Sequence, residues 1–230
     1  MCAADIVRGI VYQIVLLNAV SPFAVMGLRC SAQRNRWKLI GLSVVVIFLT
    51  HFVTIVCPLV GIRQPDHWNW NWIGKLSCIV TTTLLFCLLP SEMRQNTGIL
   101  NLPKRDSALP VISFIALCTI GGLLVAFAPN FPLPLNRETL AFQMLMPSLA
   151  EEPVFFGILP ALLSSAMGNT WKIAGAQLGS WWLAICVYFG LAHTIDLSSQ
   201  YGFQFDGPGF VAITLFTLPH GQVSRFADGG

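Results

Sequence analysis

The chain has 230 residues, of which 55% are hydrophobic and only 10% are charged. A soluble globular domain has about a quarter of its residues charged, so this composition argues against water as the main solvent and favours a membrane protein. The 13 Lys and Arg residues and the 10 Asp and Glu residues are scattered, with no basic tract, so nucleic acid is not expected as a partner.

Long apolar runs follow one another along most of the chain. A helix needs about 20 mostly apolar residues to cross a membrane, because the hydrocarbon core is about 30 Å thick. Six stretches reach that length, namely 6–28, 37–62, 70–89, 109–127, 139–163 and 172–195, and a shorter seventh covers 210–218. The sequence therefore predicts an all-α fold, a polytopic integral membrane bundle of about six to seven transmembrane helices. We divide it into N-terminal helices over 1–138 and a second unit over 139–230.

The tryptophans and cysteines are interpreted as structural residues. Trp37, Trp68, Trp70, Trp72 and Trp171 stand at predicted helix ends, so they predict a belt at the membrane interface rather than a ligand-stacking site. The seven cysteines include no C-x-x-C pair and lie mostly inside apolar runs. We therefore expect them to pack as small apolar residues rather than to form disulfides or a metal set.

Two adjacent acids stand inside the otherwise uncharged run of the fifth predicted helix. Glu151 and Glu152 lie in TLAFQMLMPSLAEEPVFFGILPALL, between Pro147 and Pro160. An ionised side chain at the centre of a membrane costs roughly 2.5 to 3.5 kcal/mol on insertion scales, so a pair predicts a functional site. A neutral hydrogen-bonded pair that only holds helices together is the alternative. Pro147 suggests that the tightly packed part of this helix begins near it, after an interfacial lead-in RETLAFQML, because proline is best tolerated in the first turn.

A histidine in the sixth predicted helix is the natural partner of these acids. Phe189 and His193, in the run CVYFGLAHTIDLSSQ, are four residues apart and so share one helix face. Helix five enters and helix six leaves on the same side of an alternating bundle, so Glu151 and His193 can reach the same depth. A carboxylate and an imidazole across a wet pocket can act as a general-base pair for water. A packing role is the alternative for His193.

The two motifs, EEPVFFG and FGLAH, resemble those of the CPBP family of intramembrane endopeptidases. This family contains CAAX prenyl proteases, bacteriocin-processing and Abi-type proteins, and lysostaphin-resistance-like proteins. Its pattern is E-E-x-x-x-R, then F-x-x-x-H, then a late histidine followed four residues on by Asn or Asp. The resemblance covers roughly residues 142–220. It implies a multi-pass protein of a bacterial-type cytoplasmic membrane that hydrolyses a peptide or lipidated-peptide substrate.

The resemblance also implies roles for individual residues. Glu151 corresponds to the water-activating glutamate, Glu152 to its motif neighbour and His193 to the second-motif histidine. Phe189 corresponds to the aromatic residue one turn earlier, and Phe156 stands where the pattern has arginine. We expect Phe156 and Phe189 to contact the substrate. A divalent metal such as Zn²⁺ is not required by the pattern; if one is used, His193 is its expected ligand.

The third motif of the family is missing. His220 is the late histidine, and a metal ligand only if a metal is used, but Ser224 stands where Asn or Asp is expected. We therefore expect a peptidase unit that is incomplete at its C-terminus. Of the remaining histidines, His51 and His67 receive no role.

Three functional hypotheses follow from these observations. The first is a membrane-embedded endopeptidase in which Glu151 is the general base and His193 positions water or stabilises the oxyanion. The second is a catalytically impaired membrane protein that acts as an immunity or binding factor, which the missing arginine and third motif favour. The third is a small transporter or channel with an acidic proton relay, although no internal repeat supports it.

Overall fold

The computed structural model describes residues 3–29, 35–56, 70–100, 116, 120, 137–167, 171–173, 176–198 and 202–217. His67, His220 and Ser224 lie outside these residues, as does the predicted span 109–127 apart from residues 116 and 120, which are helical. The described part is mostly helical, at 88%.

Besides the helical residues 116 and 120, seven helices have both of their ends within the described residues. They are α1 (Ala3–Arg29), α2 (Arg36–Val56), α3 (Trp72–Leu88), α4 (Ser91–Asn96), α5 (Arg137–Met167), α6 (Ser180–Thr194) and α7 (Gly207–Thr217). Helix α1 packs against α6, α2 packs against α3 and the end of α5, and α7 packs against α6. The helices therefore enclose one apolar core, which includes Leu16, Val46, Ile158, Leu162, Trp181 and Trp182.

Two short antiparallel strand pairs, which the sequence did not predict, lie among the helices. Strand β1 (Trp171–Ile173) pairs with β2 (Ala176–Leu178), and β3 (Ile195–Ser198) pairs with β4 (Gly202–Phe205). The predicted start of the sixth helix, at residue 172, was therefore wrong, because this helix begins at Ser180. Gly179 is extended at φ −139° and ψ 174°, and α6 begins one residue later. Apolar residues such as Trp171 and Ile173 suit a strand as well as a helix, so hydropathy alone does not separate the two.

Two helices in the described part of the chain are long and apolar enough to cross a membrane, by length and composition. They cover Arg36–Thr54 and Arg137–Met167, and Ile10–Pro22 and Trp72–Leu88 are shorter apolar helices. Helix α6 has 15 residues and is thus about 22 Å long, less than the hydrocarbon thickness.

Helix α5 contains two π-helical segments. They cover Pro147–Glu151 and Pro153–Ile158, and α-helical turns stand on both sides, from Arg137 and from Leu159 onward. The ten residues before Pro147, Arg137–Met146, are already α-helical, so Pro147 does not lie in the first turn of α5. Each proline lacks a backbone N–H and so cannot make the regular i to i−4 hydrogen bond, which favours the wider turn. Single π turns inside α-helices are frequent at functional sites.

The beginnings of α3 and α5 are held together by hydrogen bonds. The Trp70 backbone N–H and the Trp72 indole N–H both donate to Glu138 Oε1, at 3.3 and 3.2 Å. The Trp70 indole donates to the Thr139 hydroxyl at 3.0 Å. Two of the tryptophans expected in an interface belt therefore also connect two helices. This connection fixes the register of α3 against α5, one turn before Lys75.

Candidate functional site

A cavity of about 210 Å³ lies where α2, α3, α5 and α6 meet. Its wall contains five titratable side chains, together with apolar and hydroxyl side chains. It is lined by Thr50, His51, Thr54, Lys75, Cys78, Ala150, Glu151, Val154, Phe155, Ala192 and His193. A water molecule occupies about 30 Å³ in the liquid, so the cavity has room for several waters.

Glu151 is the acid of the pair that faces this cavity. It ends the first π-helical segment, and its side chain is 17% exposed. Glu152 is exposed instead and accepts a hydrogen bond from the Ser148 hydroxyl at 3.1 Å. Neighbouring residues of a helix point about 100° apart, so both cannot enter one cavity. The structure therefore does not place Glu152 with Glu151 and His193, contrary to the prediction that both acids belong to one functional site.

Lys75 is the partner of Glu151 that the sequence analysis missed. Its ammonium group forms an ion pair with Glu151 Oε1, and the two side chains are only 22% and 17% exposed. Lys75 thus places a positive charge directly beside the carboxylate of Glu151. One signal was available in the sequence, because Lys75 is the single charged residue of the apolar helix Trp72–Leu88. A charge in such a helix needs a partner.

His193 completes a three-membered charge cluster with Glu151 and Lys75. Its Nε2 lies 3.4 Å from Glu151 Oε2. Its Nδ1 lies 2.8 Å from the carbonyl oxygen of Phe189, one turn earlier in α6. A neutral imidazole has one N–H, so only the imidazolium form donates to both acceptors. Glu151 then stands between two cations, and the cluster carries a net positive charge.

The two phenylalanines expected at the substrate site do not line the cavity. Phe189 packs on His193 with ring centroids 4.2 Å apart, so this contact helps to fix the orientation of the imidazole. Phe156 lies against Trp182, at 5.9 Å between centroids, and against Phe189, at 6.0 Å. Phe155 is the aromatic residue that lines the cavity. Hydropathy could not distinguish Phe155 from Phe156, because both are apolar neighbours.

Comparison of the chain with family models, with curated proteins and with solved structures finds no match. The family resemblance therefore rests on the EEPVFFG and FGLAH motifs and stays a prediction. A function for the chain must be argued from the side chains that surround the cavity.

The chemistry of the cavity is that of acids, bases and hydrogen-bond donors. In the part of the chain that the structure describes, no group of three His, Cys, Asp or Glu side chains has the arrangement of a metal site. His220, the other expected ligand, lies outside the described residues. Glu151 can accept a proton, while Lys75 and His193 can stabilise negative charge that develops beside them.

Proposed function

We propose that this chain is a membrane-embedded endopeptidase that hydrolyses a peptide bond with a water activated by Glu151 and His193. The observation that carries the proposal is the convergence of Glu151, His193 and Lys75 on one cavity large enough for water. The resemblance to CPBP endopeptidases, which is confined to two motifs, agrees with it. The substrate class is a peptide, or a lipidated peptide, that reaches the cavity near the membrane surface.

The first half of the reaction uses Glu151 as the general base. A carboxylate has about four lone-pair positions, so the hydrogen bonds from Lys75 and His193 leave room for a water. Glu151 removes one proton while the water oxygen attacks the carbonyl carbon of the scissile peptide bond. The carbonyl oxygen becomes an oxyanion, which the ammonium of Lys75 and the imidazolium of His193 stabilise.

The second half of the reaction breaks the peptide bond. The proton held by Glu151 passes to the leaving nitrogen as the carbon–nitrogen bond breaks, which releases an amine. Glu151 thereby returns to its carboxylate form between the two cations. The positive charges of Lys75 and His193 are closest to where negative charge develops, so they lower the barrier more than they stabilise the neutral substrate.

The experiment that tests the proposal uses the full chain in proteoliposomes with a pool of peptides, both plain and prenylated. Mass spectrometry then identifies cleavage products that are absent from empty liposomes. Cleavage at defined bonds supports the proposal, whereas no product from any peptide would count against a peptidase.

A multi-pass arrangement of about six to seven spans is part of the same proposal. One face of α3 supports the membrane part of this proposal, though not the number of spans, because four apolar side chains at intervals of four residues are exposed. These are Leu76, Val80, Leu84 and Leu88, at 49%, 59%, 59% and 81%. We call this row the α3 stripe. Apolar side chains exposed in a continuous row favour contact with lipid over contact with water.

The lipid contact of the α3 stripe can be tested by a charge substitution. Leu84→Arg is expected to lower the fraction of protein that resists alkaline carbonate extraction, because arginine at a helix centre costs about 2.5 to 3.5 kcal/mol on insertion scales. The wild-type chain should stay in the membrane pellet. Glu92→Arg, an equally large change at an exposed position of α4, serves as the control and should extract like wild type. Wild-type protein in the supernatant would contradict the membrane assignment.

A non-catalytic binding or immunity factor is the second candidate function. It is favoured by the ion pairing of Glu151, because both carboxylate oxygens are already engaged by cations. Such a protein would bind a peptide in the cavity without turnover. This second candidate function predicts that the Glu151→Gln variant still binds the peptide, as measured in the same proteoliposomes.

A further inference from the structure

A second imidazole lines the cavity that contains Glu151 and His193. His51, in α2, was given no role from the sequence, yet it belongs to the cavity wall. Its ring meets Phe155 and Tyr188 edge-on, with centroids 6.3 and 5.9 Å apart. Aromatic rings on two sides fix the plane of the imidazole, so packing determines how His51 faces its neighbours.

The hydrogen bonds of Tyr188 determine which nitrogen of His51 carries a proton. The buried Tyr188 hydroxyl donates its proton to Gln13 Oε1 at 2.7 Å. Toward His51 Nδ1, 3.4 Å away, the same oxygen can then only accept. The carbonyl oxygen of Ile47, 3.2 Å from Nδ1, is also an acceptor. Nδ1 therefore carries the proton, which leaves the neutral ring with a lone pair on Nε2.

The two histidines of the cavity thus have opposite hydrogen-bonding character. Both nitrogens of His193 are engaged as donors, to Phe189 and to Glu151. In His51 only Nδ1 is engaged by the described residues, and Nε2 is the nitrogen left for a ligand in the cavity. His193 is therefore suited to stabilise negative charge, and His51 to accept a proton.

We propose that His51 is a further catalytic residue, whose Nε2 accepts the second proton of the attacking water. This inference rests on the proposed peptidase function. Glu151 takes the first proton of the water and passes it to the leaving nitrogen. The second proton stays on the hydroxyl group of the tetrahedral intermediate and moves to Nε2 as the carbon–nitrogen bond breaks. The products are a carboxylate and an amine, and the imidazolium of His51 then releases its proton to solvent.

The first test concerns the resting protein and needs no substrate. Nitrogen-15 NMR of the full chain, labelled at histidine in detergent micelles near neutral pH, distinguishes protonated from unprotonated ring nitrogens. The spectrum of His51→Asn assigns the His51 signals by their loss. We expect a proton on Nδ1 of His51 and a lone pair on Nε2. A proton on Nε2 would overturn the proposal, because that nitrogen could not then accept one.

The second test uses the peptide that the wild-type chain cleaves. His51→Asn keeps an N–H donor toward Ile47 and removes Nε2, so kcat should fall roughly 100-fold with KM unchanged. His51→Ala leaves a space that free imidazole can fill, and added imidazole should restore cleavage in part. A merely structural role would not give this rescue.

The outcomes separate the two proposals. The role of His51 would be overturned if His51→Asn cleaved at the wild-type rate. It would also be overturned if imidazole did not restore the cleavage rate lost in His51→Ala. Either result would leave the proposed peptidase function in place. Absence of cleavage by the wild-type chain would overturn the proposed function and the role of His51 together.

Discussion

Glu151→Gln is expected to slow peptide cleavage by at least about 100-fold, because an amide cannot take a proton from the attacking water. Glutamine has the shape of glutamate and retains an oxygen that can accept from Lys75, so the fold should be preserved. Rates are measured in proteoliposomes with the peptide that the wild-type chain cleaves, and thermal unfolding in detergent checks the fold. The loss should appear in kcat, since the substituted group acts on the water and not on the peptide.

The neighbouring acid provides a matched control. Glu152→Gln makes the same chemical change one residue away, at an exposed side chain whose contact is the Ser148 hydroxyl. We expect it to cleave at close to the wild-type rate. An equal loss of rate in Glu152→Gln would mean that both acids take part in the reaction, although the side chain of Glu152 is exposed. Full activity in Glu151→Gln would remove the assignment of Glu151 as the base.

Helices with long apolar runs were the part of the fold that the sequence predicted best. Helix α2 begins at Arg36 and α5 at Arg137, one and two residues before the predicted starts at 37 and 139. A run of apolar residues longer than about 20 has few other stable forms in a membrane. The start of α6 was misplaced because short apolar segments form strands as readily as helices, and the pairing of β1 with β2 depends on contacts between residues.

The candidate site was predicted only in part, for a geometrical reason. Glu151 and His193 stood out because ionisable groups are rare in apolar runs, and the structure brings them together. Their catalytic roles stay predictions. Glu152 could not be separated from Glu151 without the helical phase of α5. The pairing of Lys75 with Glu151 spans 76 residues of sequence, and that of His51 with Tyr188 spans 137. Such partners are set by the packing of whole helices.

Lys75→Met is expected to give the largest loss of stability among single substitutions at the site. Methionine fills a similar volume but leaves the carboxylate of Glu151 with one cation fewer in a cavity that is mostly shielded from water. Breaking a buried ion pair by removing one partner costs roughly 3 to 5 kcal/mol, and the partial exposure of this pair places the expected loss at about the lower value. The free energy of unfolding is measured by titration with SDS in mixed micelles. Lys38→Met, at an exposed position near the start of α2, should change it by less than about 0.5 kcal/mol.

The double variant Lys75→Met/Glu151→Gln separates loss of the charge pair from loss of packing. If the instability of Lys75→Met comes from an uncompensated carboxylate, neutralising Glu151 should restore most of the lost free energy. The two substitutions would then be strongly non-additive, with a coupling of at least about 1 kcal/mol, since residues in direct contact share their interaction energy. Simple addition of the two single effects would show that Lys75 and Glu151 do not depend on each other. In that case the stabilisation of the Glu151 carboxylate would have to come from His193 alone.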